Sequence, residues 1–434
     1  MNEISRDGRL KKIIRKLKRA LPAFIGLVCI MAFPFSGKAQ FKFAELVTVT
    51  EDSFSLYWAT EKPQACAVKY GTGWFKLDRK KNEAGKPSQY HFIAIEGLSP
   101  ATKYFYQVEC DGSLARTTWL NPGKLKTQSL PRGKLLFSFA LVSDIHIKED
   151  VAGLIVLPIS RAPALSPGFV WKYPVDDYWA FTIRNAIEQI NKLPVDFTIV
   201  DGDLSAWFNQ DEFELAKSFL DKLQKPYYVL RGNHDRQGDR PEDWFKKVFK
   251  LDRSYYSFEH KGVRFICLDD TRLSDGWGEI SDQEFSWLEK ELASHKTQPT
   301  FIVSHRPDGL GSPDIKKPTV QRFQRVLSQN SQVLACFYGH GHYAKIRMAE
   351  FGDQVIPQIM VPSTKEYPSG FGVIRVYESG MVYNFHRTDC GDCLEWSAIT
   401  RREYFGLAPL TLDGKLKDRN LVYAFPHSIS ETTK

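Results

Sequence analysis

Five polar clusters, each opening where a short apolar run ends, constrain this chain more than any other feature. Leu135 to Val142 leads to Asp144-Ile-His146, and Phe197 to Val200 leads to Gly202-Asp203. Tyr227 to Leu230 leads to Gly232-Asn-His-Asp235, Phe301 to Val303 leads to His305, and Val333 to Tyr338 leads to Gly339-His-Gly-His342. Short apolar runs bounded by turn formers read as buried strands. Amphipathic stretches such as Asp211 to Lys222 and Ser281 to His295 alternate with them, the second opening on a Ser281/Glu284 capping box. Strands alternating with helices predict an α/β domain. In such sheets the carboxyl ends of the strands line the ligand crevice, so the clusters are expected to converge as a ring of Asp, Asn and His.

Chance accounts for single clusters but not for the set. At ordinary residue frequencies a Gly-His-x-His string occurs on the order of 0.01 to 0.02 times in a chain of this length, whereas Asp-x-His or Gly-Asp occurs about once or more. Five of the ten histidines fall in these clusters, each at the end of a strand-like run. Scattered surface histidines do not take up that order.

Taken together, the clusters resemble the calcineurin-like metallophosphoesterase superfamily, whose pattern is D-x-H, GD, GNH[DE], a lone H and GHxH. The resemblance covers about 200 of 434 residues. It implies a four-layer α/β/β/α sandwich with two metal ions, divalent or trivalent (Fe, Mn, Zn or Ni), at the strand ends. Asp144, His146 and His342 are then ligands of one ion, Asn233, His305 and His340 of the other, and Asp203 of both. The implied reaction is hydrolysis of a phosphate ester, diester or monoester, by metal-activated hydroxide.

The residue types suit that chemistry. Two ions about 3.5 to 4 Å apart can hold attacking and phosphate oxygens while lowering the pKa of bound water. A bridging carboxylate sets their separation, and neutral imidazoles and an amide carbonyl leave their Lewis acidity intact. His234 is left over as a proton donor to the leaving group, with Asp235 expected to orient its ring. The alternative for His234 is a structural hydrogen bond in its loop. Purple acid phosphatases carry Asp-x-Gly and a tyrosine ligand where this chain has Asp144-Ile-His146 and Ala206, so the pattern lies closer to phosphodiesterase-type members.

From about Phe41 to Thr127 the text changes character. Phe54 to Trp58 and Cys66 to Tyr70 alternate, Tyr104 to Val108 follows a turn-rich stretch, and helical periodicity is absent. A small all-β sandwich over 40–130 is expected, resembling a fibronectin type III domain. Glu96-Gly-Leu-Ser-Pro-Ala-Thr-Lys-Tyr-Phe-Tyr106 in particular is similar to the N-terminal domain of purple acid phosphatases. The phosphoesterase domain is placed at 134–400, with 401–434 as an extension whose structure stays open.

Residues 1–39 read as a signal peptide: seven Lys/Arg between Arg9 and Arg19, an apolar run from Leu21 to Phe35, then small residues before Gln40. About fifteen apolar residues broken by two prolines fall short of the roughly 20 that span a bilayer, so no stable membrane span is expected after cleavage. Export to the periplasm, cell surface or medium follows. The formal charge of +8 sits largely in this segment, and the remainder holds 50 basic against 49 acidic residues. Such a balance offers no footprint for nucleic acid. Among the six remaining cysteines, Cys267 and Cys336 read as buried thiols. Cys390 and Cys393 read as a local disulfide, with a redox pair or half a zinc site as alternatives.

Lys148 to Asp177, long and rich in apolar residues and proline, is expected to pack near the strand end that bears Asp144. Trp171, with Trp207 and Phe208 after Asp203, is assigned to the substrate wall; the alternative is packing on an outer helix or on the β domain. Two further functions compete with the enzyme: a surface binding protein with an inactive metal site, and a DNA-repair-type nuclease. A complete ligand set opposes the first, and export with a near-neutral remainder opposes the second.

Overall fold

The computed structural model describes residues 41–115, 123–149, 177–236, 242–271, 279–306 and 318–429. The expected signal segment and most of the insertion after Lys148, Trp171 included, lie outside the described residues.

The N-terminal region is all-β. Strands β1 (Phe41–Val49), β2 (Phe54–Gln64), β3 (Cys66–Gly71), β4 (Arg79–Asn82), β5 (Ser88–Ile95), β6 (Lys103–Cys110), β7 (Ser113–Leu114) and β8 (Gly123–Lys126) form two sheets, β1-β2-β5 and β4-β3-β6-β7, with β8 on β6. Alternation sends Phe54, Leu56, Trp58, Val68, Tyr104 and Val108 into one core. The Tyr104 hydroxyl accepts the Ser99 N–H at 3.0 Å, which ties the turn before β6 to that strand. Cys66 and Cys110 face each other across β3 and β6 and are disulfide-bonded.

The following region is built on two six-stranded sheets. The first orders β11 (Tyr227–Leu230), β10 (Phe197–Asp201), β9 (Leu135–Val142), β18 (Gly370–Tyr377), β19 (Gly380–Arg387) and β20 (Asn420–Ala424). The second orders β12 (Tyr256–His260), β13 (Val263–Cys267), β14 (Thr300–Val303), β15 (Val333–Tyr338), β17 (Gln354–Met360) and β16 (Lys345–Phe351). Strands β9, β10 and β11 run parallel, as do β13, β14, β15 and β17. The period of two divides each strand between two cores. Phe137, Phe139 and Leu141 of β9 meet Phe265, Phe301 and Phe337 between the sheets, while Ala140 and Val142 turn outward.

Helices cover both outer faces. α1 (Tyr178–Lys192) and α2 (Gln210–Leu220) pack on the first sheet through Ile183, Ile187, Phe213 and Leu220, beside the short α3 (Trp244–Phe249). α4 (Asp282–Ser294) and α5 (Pro318–Gln329) cover the second through Phe285, Leu288, Phe323 and Leu327. The layers run helix, sheet, sheet, helix. The capping box expected at α4 is only half formed: Ser281 Oγ accepts the Glu284 N–H, but Glu284 Oε1 accepts the Asp269 N–H at 2.7 Å. That carboxyl satisfies a buried donor after β13 instead of its own helix end.

After β19 come α6 (Gly391–Thr400), three single-turn helices and β20, which pairs with β19 and closes the first sheet. Cys390 and Cys393 are disulfide-bonded at the start of α6, and Cys267 and Cys336 are buried free thiols. The two regions share a buried contact. Glu45 of β1 accepts from Arg387 and Arg401, and Arg387 lies 4.5 Å from the centre of the Tyr57 ring. Among the described residues no helix is long and apolar enough to cross a membrane.

Candidate metal centre

The five clusters converge where the parallel strands of both sheets end. β9 delivers Asp144 and His146, β10 delivers Asp203, β11 delivers Asn233 and His234, β14 delivers His305, and β15 delivers His340 and His342. Asp144, His146, Asp203, His340 and His342 all have left-handed backbone, with φ between 43° and 63°. That conformation costs about 1 to 2 kcal/mol per non-glycine residue, so the surrounding loops must enforce it. They do so by lacing the first two clusters together, His146 N–H to the Asp203 carbonyl at 2.9 Å and Asp144 N–H to the Gly202 carbonyl at 3.2 Å. The glycines clear space for this approach. A Cβ on Gly202, whose φ is +73°, would meet His305 Nδ1 at 2.5 Å, and one on Gly339 would meet Ser143 Oγ at 1.9 Å.

Two groups of ligand atoms result, and Asp203 belongs to both. Asp144, His146, Asp203 and His342 each present a donor atom within 4.8 Å of the others, as do Asp203, His305 and His340. In the first pocket His342 Nε2 lies 3.1 Å from Asp144 Oδ1, and His146 Nε2 lies 3.5 Å from Asp203 Oδ2. In the second, His305 Nε2 lies 3.1 Å from the same Asp203 oxygen. Asn233 stands next to His234, whose backbone N–H donates to Asp203 Oδ1 at 2.7 Å. Its side-chain carbonyl accepts from Arg306 Nε at 3.2 Å.

The ring orientations fit metal binding. His342 donates Nδ1–H to Glu366 at 2.5 Å, and His305 donates Nδ1–H to the Asp201 carbonyl at 2.8 Å. A histidine so fixed turns Nε2 towards the centre, the arrangement found in metal-ligating imidazoles. Asp144 Oδ1, both ring nitrogens of His146 and His305 Nε2 are buried without a hydrogen bond. Buried polar atoms rarely go unsatisfied, and here they belong to the two groups of mutually close ligand atoms.

Electrostatics point the same way. Against the upward push of burial, His342 and His305 hold Asp144 below the usual carboxylate range, and His305 and His234 hold Asp203 well below it. Against the downward push of burial, Asp144 and Glu366 raise His342 to about 10, and Asp203 raises His305 well above its ordinary value. Burial, His305 and Arg306 take His340 down to about 3, and burial with Lys365 takes His146 well down. In each pocket the raised imidazole favours its protonated form, and a cation that binds there must displace that proton.

Two expectations need correction. Asp235 does not orient the His234 ring: its carboxylate accepts from the N–H groups of Gly232, Leu204 and Ser205 and from Ser205 Oγ, so it braces the loop. The ring instead donates Nδ1–H to the Ala206 carbonyl at 3.1 Å, and its centre lies 4.5 Å from that of His146. Phe208 is half-buried against the cluster under α1 and α2, whereas Trp207 is 53% exposed. Only the tryptophan presents an open face.

Sequence reasoning missed a sixth loop. Val361 to Ser369 follows the parallel strand β17, is buried throughout, and brings Glu366 onto His342. The available signal was the one the other clusters carry, polar residues directly after a strand, but Ser363-Thr-Lys-Glu366 spells no metal-ligand pattern.

A helix/sheet/sheet/helix sandwich with buried carboxylates and imidazoles at its strand ends defines a metallophosphoesterase. Residues 137–344 match the model of the calcineurin-like phosphoesterase family, and this region of the chain is a calcineurin-like phosphoesterase domain, a phosphoric ester hydrolase. The chain is 28% identical over 201 residues to a probable glycerophosphodiester phosphodiesterase of Arcobacter nitrofigilis, covering 44% of this chain and 72% of that one. It is 28% identical over 213 residues to a 3',5'-cyclic-nucleotide phosphodiesterase of a Nostoc species, covering 48% and 73%. Among solved structures, a purple acid phosphatase from yellow lupin seeds aligns at 13% identity with a TM-score of 0.39, over 81% of this chain and 73% of that one.

Proposed function

We propose that the protein is an exported phosphodiesterase with a binuclear metal centre. The observation that carries the reading is the pair of buried ligand groups meeting at Asp203. Asp144, His146, Asp203 and His342 would hold one ion, and Asp203, Asn233, His305 and His340 the other. Bound there, two such ions supply Lewis acidity and a hydrolytic water of lowered pKa.

The chain's own groups do the rest. His234, its Nδ1–H committed to the Ala206 carbonyl, offers Nε2 to the leaving oxygen and is assigned the proton transfer. Trp207 gives the substrate a flat apolar face. Both relatives described above are named as phosphodiesterases, which supports a diester. Two disulfides support export, since such bonds persist in oxidising compartments.

The test is turnover of bis(p-nitrophenyl) phosphate and p-nitrophenyl phosphate by chelated and metal-restored protein. Activity that needs metal and favours the diester is expected. Equal activity after chelation, or preference for the monoester, would sink the reading.

A further inference from the structure

Beneath the first pocket lies a closed ring of side chains that none of the five motifs contains. Lys365, 1% exposed, donates its ammonium to Glu149 Oε2. The same oxygen accepts from the Tyr178 hydroxyl at 2.7 Å. Tyr178 stacks on Trp396 with ring centres 4.4 Å apart, and Trp396 Nε1 donates to the Lys365 carbonyl at 2.6 Å. The loop that carries Lys365 is tied to the first pocket's backbone, because Thr364 N–H donates to the Ser143 carbonyl and Ser363 Oγ to the Asp144 carbonyl, both at 3.0 Å.

The ring meets the pocket at two imidazoles. Glu149 Oε1 lies 3.4 Å from His146 Nδ1, and Glu366, the neighbour of Lys365, accepts from His342 Nδ1. With Asp144 and Asp203, this places four carboxylates around one pocket. Like charges so close oppose one another, and the buried ammonium of Lys365 sits against this cluster through its bond to Glu149. Glu403, buried beside Lys365 and Glu366, is pushed towards its neutral form by burial and by Glu366. Lys365 meets Glu149 directly, and both Glu149 and Glu366 act on its ammonium.

We propose that Lys365 is a positioning residue for the first metal pocket: it keeps the Glu149 carboxylate beside the His146 ring and the loop of Glu366 under His342, and so biases both imidazoles to present Nε2 to the centre. The second pocket lies outside its reach. There His305 leans on the Asp201 carbonyl and Asn233 on Arg306. The inference rests on the binuclear reading of the site. A role in packing alone has a different consequence, a lower Tm with both pockets weakened together.

The experiment is Mn²⁺ titration of the metal-free protein, followed by the loss of the free-ion EPR signal, in two backgrounds. His340→Ala retains the first pocket, and His342→Ala retains the second. In the first background Lys365→Met should weaken Mn²⁺ binding by about 10 to 100-fold, the range for groups that support metal-bound histidines. In the second it should leave binding unchanged, and Lys365→Arg should recover part of the loss. Where Lys365→Met does not fold, Glu149→Gln decides on the same criterion. Unchanged binding in the first background, or equal losses in both, overturns the inference while the binuclear reading stands. No Mn²⁺ binding by the His340→Ala protein itself overturns both.

Discussion

In the pocket of Asp144, His146 and His342, ring nitrogens turned away from the centre face carboxylates, Glu149 and Glu366. In the pocket of Asn233, His305 and His340 the corresponding groups are a backbone carbonyl and a guanidinium: His305 meets Asp201 O, and Arg306 donates to the Asn233 carbonyl. A carboxylate behind an imidazole makes it a stronger donor, whereas a cation beside an amide oxygen competes for it. Two pockets that share one aspartate thus differ in what stands behind their ligands. Ligand identity alone does not set the strength of a site.

The largest effect is expected where the pockets meet. Asp203→Ala should strip both metals and take diester turnover to background, as read by metal analysis and a coupled assay; retention of one full equivalent would show that the pockets do not share the residue. Next comes His234→Ala, which should lower turnover by about 10² to 10⁴-fold with both metals retained. Its ring packs on His146 of the first pocket, so loss of that pocket's metal would make His234 a ligand instead of a proton donor.

A third effect separates the pockets by protonation. His342 is raised to about 10 in one and His305 is raised in the other, while His146 and His340 are lowered. The raised imidazole in each pocket must give up its proton before it can bind an ion. Apparent affinity at each should therefore fall about tenfold per pH unit lowered near neutrality. Calorimetry in buffers of different ionisation enthalpy counts the protons, and release from one pocket alone would break the symmetry expected here.

The smallest effect concerns the scaffold behind the second pocket, where Asp270 accepts the Arg306 N–H and Glu284 accepts the neighbouring Asp269 N–H. Burial, Asp269 and Asp270 push Glu284 up to about 9 from an ordinary 4.5. A carboxyl raised on folding contributes its full stability below the unfolded value and loses it as pH rises towards the folded one. Glu284→Gln keeps the acceptor and removes the titration, so its Tm should exceed that of the parent by a few degrees at pH 8 and match it at pH 4. An equal shift at both values would assign the change to packing.

What could be read from the sequence follows the range of the interactions involved. Strand β9 and strand β15 have the limits their apolar runs predict, because short apolar runs bounded by turn formers define them locally. The convergence of five clusters was legible because each one follows such a run. Glu149, Lys365 and Glu366 were not, since Lys365 reaches Glu149 across 216 positions and an isolated Lys-Glu pair reads as an ordinary loop. Asp235 misled for the opposite reason. Adjacency to His234 implied a bond to its ring, whereas backbone donors of its own loop and of the loop after β10 claim the carboxylate first.

The contact of Glu45 with Arg387 and Arg401 sets an order of events for a chain made from one end. Those partners follow Glu45 by 342 and 356 positions, and Arg419, which donates to the Leu46 carbonyl, follows Leu46 by 373. Strand β1 is therefore synthesised long before the groups that neutralise its buried charge, and its docking is a late event. A message truncated just before Asn420 would still encode every candidate ligand. Its product would show β19 as an open edge, the kind of strand to which other chains add.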